Sequence, residues 1–344
     1  MYYIMSENES IIKEKMVDCL SDINTASNNN NTNLANDCKN LFVVENGFNT
    51  CYIDSLLMAL FYKPSTYLDS LLHADPKDLN CIYLQEIIKN KFVDFVRKNN
   101  SVMADVINEI RIYAHECGWL AGVPNEYDEL FEQQDVNEFY SFLLDVINVP
   151  LIEIQRHTIC EAFENKSDTS ELEFIPFINL IVPDNNDQCT IKELLNEWMN
   201  HNMVDIEREV IDNGKKVIKS VKGLNIYKIV NVPTFIALSL NRFNNNVGKR
   251  IETKIDIQKR IKLHHIADGN NGLRWKIHSV ICHRGDTPKN GHYYCVLFAS
   301  DNTWLLFDDQ SIPCLKEIQI QDSEISETIK REIVFVIYCY DEMI

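Results

Sequence analysis

With 344 residues, 45% of them hydrophobic and 24% charged, the chain is long enough to bury one large core or two subdomains, and it has neither a fibre's nor a membrane protein's composition. Its 51 acidic against 33 basic residues give a net charge of −18, which repels nucleic acid and anionic lipid and favours a basic partner, although surplus acid also serves simply to keep a protein in solution. The 11 cysteines are odd in number, with no Cys-x-x-Cys pair and no cluster at zinc-ligand spacing, so reduced thiols are the simplest account.

Residues 1–10 carry acidic groups and no basic-then-apolar leader, and no apolar run approaches membrane-spanning length, which points to the cytosol or the nucleus. Residues 11–20 read as one short helix or a frayed terminus. Residues 21–40, rich in Asn, Ser and Thr, are too polar to fold alone and read as a linker. The expectation is a flexible extension over 1–40 and a folded domain over 41–344.

From Cys51 the apolar residues Tyr52, Ile53, Leu56, Leu57, Leu60 and Phe61 recur with helical period until Lys63-Pro64, predicting a buried helix with Cys51 in its first turn. A helix start offers unpaired N–H groups and the positive end of the dipole, a setting that favours thiolate over thiol. Further helices are predicted over 79–98 and 102–116, and from Asp135, where Asp135 and Glu138 suggest a capping box.

After Leu172 the pattern becomes strand-like, over 174–182, 224–230, 234–240, 277–282, 293–298 and 334–340, interrupted by one helix after Thr190 with Glu193 completing its capping box. Cys282, Cys295 and Cys339 fall in these apolar runs as small core residues. Helices first and a largely antiparallel sheet second predict an α+β architecture, with a site where the two parts meet.

His292, in Gly291-His292-Tyr293, is the candidate base for Cys51, and it lies 241 positions downstream, a separation that a fold-assembled dyad tolerates. A third residue should accept the imidazole N–H. Asp308 suits this role because the strand 303–307 returns antiparallel to 293–298, and the adjacent Asp309 is the alternate. The oxyanion needs a donor, and Asn46, five residues before Cys51, or the Cys51 backbone N–H supplies one, while Asn46-Gly47 also reads as an ordinary turn.

These residues resemble the papain-like ubiquitin-specific proteases. Asn49-Thr50-Cys51-Tyr52 with Ser55 and Leu56 resembles the family's Cys box, and Asn46 matches its oxyanion-hole Asn. Gln133-Gln134-Asp135-Val136-Asn137-Glu138-Phe139 resembles its Gln-Gln-Asp segment. Pro233 with Leu238-Ser239-Leu240-Asn241-Arg242-Phe243 resembles a strand motif, and His283-Arg284-Gly285, Gly291-His292-Tyr293 and Trp304-x-x-Phe307-Asp308-Asp309 resemble its His box. The five motifs occur in order from about Leu41 to Tyr340.

The resemblance implies a right-hand fold with a helical thumb over about 41–150, and an antiparallel sheet palm and fingers over about 151–344. It implies a ubiquitinyl hydrolase that cleaves after the terminal Gly-Gly of ubiquitin through Cys51, His292 and Asp308, with Asn46 at the oxyanion. Its partners are then ubiquitin and ubiquitinated proteins, with no nucleic acid and no membrane. Gln133 and Asp135 would grip the basic tail of ubiquitin, Asp135 also capping its helix.

The chain departs from the family at three places. Phe48 stands where Gly usually precedes the Asn49 position, and Asp54 replaces the common Asn three residues after the nucleophile. Between Ile154 and Val230 only Cys160 and Cys189 remain of the usual zinc-binding pairs, so no structural zinc or other cofactor is expected. The fingers read as shortened, with Lys215, Lys216, Lys219 and Lys222 on an exposed hairpin. Arg242, Phe243 and Trp304 read as structural. Residues 285–290 form either a cover over the substrate tail or an ordinary strand connection. Two other functions remain: a protease for another Gly-Gly-ended modifier, and a catalytically silent ubiquitin-binding module.

Overall fold

The computed structural model describes residues 42–159, 167–184, 187–200, 202–212, 215–244, 249–262, 273–300, 303–319 and 323–341; the readings made for residues 1–40 and for Cys160 lie outside them. The chain divides into two compact units. The first runs to Val149 and includes His278–Phe335, and the second comprises Pro150–Ile277 and the chain from Val336. The first unit thus combines the helices of the N-terminal half with strands from far downstream, and it holds both Cys51 and His292.

The helix Cys51–Phe61 is buried along its whole length, as an apolar surface on all sides requires. Burial of side chains such as Leu56, Leu57, Leu60 and Phe61 stabilises it by about 1.5–3 kcal/mol each. Pro64 cannot extend the helix. Its last carbonyls are held from other elements: Ser279 Oγ donates to Ala59 O at 2.7 Å and Arg97 Nε to Phe61 O at 2.7 Å, while Arg97 also forks onto Asp69. Just past the helix, Lys63 Nζ donates to Phe298 O at 2.8 Å. Through Ser279 and Phe298 the C-terminal end of the helix is referenced to the antiparallel strands Trp275–Thr287, Asn290–Phe298, Trp304–Phe307 and Leu315–Ile318, which pair in that order.

Around this helix, Leu79–Ile87 continues through a π-helical turn, Ile88–Val93, into Asp94–Arg97, and the next helix is Ala104–Glu116. Val136–Ile147 follows, ending at Asn148, whose φ of 59° is the left-handed conformation that Asn tolerates at a helix end. Its cap differs from the expected box. Asp135 accepts from the Asn137 N–H at 2.6 Å and from the Asn137 side chain at 2.7 Å, so the neighbouring amide takes the place foreseen for Glu138. Phe139 packs edge-on against Tyr52 and Trp119, with ring centroids 5.4 and 5.2 Å away.

His278 is buried in this unit, and its ring hydrogen-bonds the Leu60 backbone. Burial and the nearby Lys63 and Arg97 charges push its pKa down from 6.5 to about 4. Its native contribution is present above pH 6.5 and is lost as pH falls through 4, by roughly 3 kcal/mol when complete. Thermal unfolding of the wild type should therefore fall more steeply between pH 7 and pH 4 than that of His278→Gln; parallel curves would contradict this.

In the second unit, four antiparallel strands lie in the order Ser167–Ile175, Ile152–Ile159, Lys215–Ile229 and Asn202–Asp212. Strand structure thus begins before Leu172, because Ile152-Glu153-Ile154-Gln155 already alternates. The run expected over 174–182 is two strands, Ser167–Ile175 and Ile178–Ile181, separated by Pro176, which cannot donate to a ladder. Ile178–Ile181 pairs in parallel with Phe235–Asn241.

The helix Ile191–Asn200 has the expected box, with Thr190 N donating to Glu193 Oε2 at 2.8 Å and Glu193 N to Thr190 Oγ1 at 3.1 Å. The lysine-rich hairpin is exposed, and its pairs Lys216–Glu209 and Lys222–Asp205, at 2.6 and 2.7 Å, are of the surface kind that adds little stability. Arg242 is fully buried and donates to Ile251 O and Thr253 O, a structural role, and Trp304 of the first unit is a core residue as expected. No helix among the described residues is long and apolar enough to cross a membrane.

Candidate active site

Cys51 is the first residue of its helix and 3% exposed. Its thiol hydrogen-bonds the backbone at Tyr293, the residue after His292, and the Tyr52 backbone at the helix start. Sγ also lies 3.8 Å from Gln133 Oε1. The expectation that the helix start favours thiolate is reversed in this resting arrangement. Burial, reinforced by the Asp309 carboxylate, outweighs the two backbone contacts and pushes the thiol up to about 12.

His292, 7% exposed, directs Nε2 to Asp308 Oδ1 at 2.8 Å and stands 3.5 Å from Asp309 Oδ1. A proton on Nε2 satisfies Asp308 and leaves Nδ1, which is buried and has no hydrogen-bond partner, with its lone pair available. Burial raises the Asp308 pKa, but the hydrogen bond and charge of His292 and the Gln310 N–H outweigh it and hold the carboxyl below its usual value. Asp308 and Asp309 are presented by the end of the Trp304–Phe307 strand, which pairs with the His292 strand as the sequence suggested.

Asn46 meets the same cluster. Its Nδ2 donates to Asp309 Oδ2 at 2.6 Å and its Oδ1 faces the Thr50 N–H at 3.4 Å. Asn46 thus ties the loop before the helix to Asp309, and its amide retains a second N–H. Cys51, His292, Asp308, Asp309 and Asn46 are brought together in the first unit alone.

Gln133 is buried and oriented by the other end of its amide, where Nε2 donates to Pro288 O at 3.0 Å and meets His283 Nε2 at 3.2 Å. His283, fully buried, packs its ring on Tyr293 with centroids 4.4 Å apart. Asp135 serves as a helix cap, as described. Residues 285–290 are a strand connection: Thr287 pairs with Asn290 across Pro288-Lys289, and Pro288 O also accepts from Tyr293 Oη at 3.0 Å.

Gly291, just before His292, has a φ of 140°, and an added Cβ would stand 2.3 Å from Arg284 O and 2.8 Å from the Gly285 Cα. Backbone cannot yield as a side-chain end does. Gly291→Ala should cost about 2–4 kcal/mol and displace His292, read as a lower unfolding temperature together with lost activity; an unchanged melting curve would contradict the packing.

Sequence reasoning missed the clamp on the Asn46 loop. Phe48 and Asn49 both lie in the left-handed region, with φ of 72° and 57°, so Phe48 adopts a conformation that suits the Gly it replaces. Fully buried Arg111 holds that strained turn, Nη1 donating to Phe48 O at 2.8 Å and Nη2 to Gly47 O at 3.0 Å and to Asn108 Oδ1. Its guanidinium lies over the Phe131 ring, 4.6 Å from the centroid. The available signal was a cation on the same helical face as Ile107, Ile110 and Ala114.

The model of the family described as ubiquitin carboxyl-terminal hydrolase matches residues 43–331. The chain is 23% identical over 214 residues to ubiquitin carboxyl-terminal hydrolase 23 of Arabidopsis thaliana, covering 59% of this chain and 22% of the relative. It is 22% identical to ubiquitin carboxyl-terminal hydrolase 42 of Homo sapiens, covering 78% and 21%, and 22% identical to ubiquitin carboxyl-terminal hydrolase 4 of Arabidopsis thaliana, covering 81% and 87%. The chain thus spans about a fifth of the length of the first two relatives and most of the third. The fold is similar to the SAGA Ubp8/Sgf11/Sus1/Sgf73 DUB module bound to ubiquitin aldehyde, with a TM-score of 0.61 at 16% identity over 89% of this chain and 70% of that chain.

Proposed function

Because this chain belongs to the ubiquitin carboxyl-terminal hydrolase family, we propose that it is a cysteine peptidase that removes ubiquitin from protein conjugates after the terminal Gly-Gly. The observation that carries this reading is the His292 ring, fixed by Asp308 through Nε2 and left with a buried, unpartnered Nδ1 in the residue next to the one whose backbone contacts the Cys51 thiol.

Cys51 gives its proton to His292 Nδ1 as Sγ attacks the terminal glycine carbonyl. The imidazolium so formed is stabilised by Asp308. Asn46, through its second amide N–H, and the Cys51 backbone N–H receive the oxyanion. Collapse expels the amine, which takes the proton from His292, and leaves a thioester on Cys51. Water then attacks the thioester with His292 as base, restoring the thiol. Glycine in the last two substrate positions lets the backbone approach a thiol that is itself almost wholly enclosed. Gln133, which hydrogen-bonds that thiol at rest, exchanges this contact for the tail in this reading, while Asp135 offers a half-exposed carboxylate to the basic residues before it.

The test is release of a fluorophore from the C-terminus of ubiquitin, which should proceed with wild type and stop on alkylation of Cys51. Absence of turnover, with ubiquitin binding retained, would contradict the reading. Since burial pushes the resting thiol up to about 12, alkylation of free Cys51 by a small neutral haloacetamide should be slow at pH 7 and still be rising above pH 9; a rate that levels off below pH 7 would show a preformed thiolate instead.

A further inference from the structure

Asp54, one turn along the nucleophile's helix, is the most enclosed acid near the site and has no part in the steps above. It is 0% exposed. Oδ2 accepts from the Thr50 hydroxyl at 3.0 Å, and that hydroxyl accepts in turn from the Gly47 N–H at 2.7 Å. Oδ1 meets no hydrogen-bond donor, and neither does Asp309 Oδ1. The two carboxyl groups are nevertheless close neighbours that act on one another. Two buried carboxylates side by side repel, and a proton on one of them turns that repulsion into a hydrogen bond.

The surroundings decide which. Asp309 receives the Asn46 amide at 2.6 Å and has the His292 Nε2 at 3.5 Å, both of which favour its ionised form. Asp54 receives a single hydroxyl. The charged and titratable groups around it are Cys51 and Tyr52 on its own helix, Arg111 from the helix Ala104–Glu116, and Asp309 from the loop after the Trp304–Phe307 strand. Arg111 is bound to the Gly47 and Phe48 carbonyls and Asn108. Burial and the Asp309 charge together raise the Asp54 pKa well above its usual value.

We propose that Asp54 is a positioning residue that stands neutral and donates its O–H to Asp309, fixing the carboxylate from which Asn46 is hung. The inference rests on the reading of Asn46 as an oxyanion donor. In one chain of hydrogen bonds, Gly47 N–H to Thr50, Thr50 to Asp54, Asp54 to Asp309 and Asn46 to Asp309, the loop before the nucleophile is closed onto the acid beside the base. The Asn46 amide is then held at one angle, with one N–H committed and the other aimed. An Asn at position 54 would make the same donation without needing a proton, whereas Ala would leave Asp309 unsupported.

The full-length chain and its Asp54→Asn variant, compared by infrared difference spectroscopy at neutral pH, should show the carbonyl stretch of one protonated carboxylic acid in the wild type that the variant lacks. In hydrolysis of C-terminally labelled ubiquitin, Asp54→Ala should lose about 10–100-fold in kcat with little change in KM, and Asp54→Asn should restore most of that loss. No acid band in the difference spectrum would overturn the proposal, and needs no Ala variant to fold. So would an Asp54→Ala enzyme with wild-type kcat. An acid band from a wild type that hydrolyses no ubiquitin substrate would support the proton's place on Asp54 while contradicting the deubiquitination reading.

Discussion

Replacement of Cys51 by Ala is expected to abolish turnover of ubiquitin conjugates, a loss of about 10⁶-fold in kcat by analogy with nucleophile removal elsewhere, while ubiquitin binding persists. The size follows from the chemistry: attack, thioester and its hydrolysis all pass through one sulfur, and the described thiols Cys282, Cys295 and Cys339 are buried core residues. Binding should survive because the side chain is small and enclosed, with only a 3.8 Å contact to Gln133 and the backbone contacts to lose. Steady-state hydrolysis and equilibrium binding measured on the same preparation separate the two effects. Residual turnover within tenfold of wild type would place the nucleophile elsewhere.

The second large effect concerns the pair of acids after the Trp304–Phe307 strand. Asp308→Asn should lower kcat by about 10²–10⁴-fold, because the amide must present either an oxygen to accept the His292 proton or an N–H that drives the ring into the other tautomer, and it cannot stabilise an imidazolium. Asp308 makes the 2.8 Å bond and is held below the usual carboxylate range; Asp309 stands farther, at 3.5 Å, and is raised by burial. Asp309→Asn should therefore act mainly through Asn46 and lower kcat less than Asp308→Asn does. Equal losses of kcat in both variants would mean that the two acids share the orienting role.

The site's chemistry was legible wherever it is written in short runs. Cys51 sits at a helix start because the apolar period begins there and Pro64 ends it, and Asp308 follows a strand that pairs antiparallel with the His292 strand. Those are local signals. What the sequence hid are pairings across long separations: Arg111 with the Phe48 carbonyl, Gln133 with His283 and Pro288, and Asp54 with Asp309. A cation among Ile107, Ile110 and Ala114 announced a buried partner but not which carbonyls it would meet.

The thiol's state was also misjudged, because the helix start is visible in sequence and enclosure by Tyr293 and Asp309 is not. Likewise the strands Ile152–Ile159 and Asn202–Asp212 carry many polar residues. They draw their order from ladder bonds to neighbours rather than from a continuous apolar run.

The most direct measurement is the intact mass of the chain after incubation with ubiquitin bearing a thiol-trapping C-terminal group, alongside Cys51→Ala and probes built on other Gly-Gly-ended modifiers. One ubiquitin added to the wild type and none to Cys51→Ala is the predicted result. No adduct on a wild type that still binds ubiquitin would contradict the central claim, and labelling by another modifier alone would move the activity to that modifier.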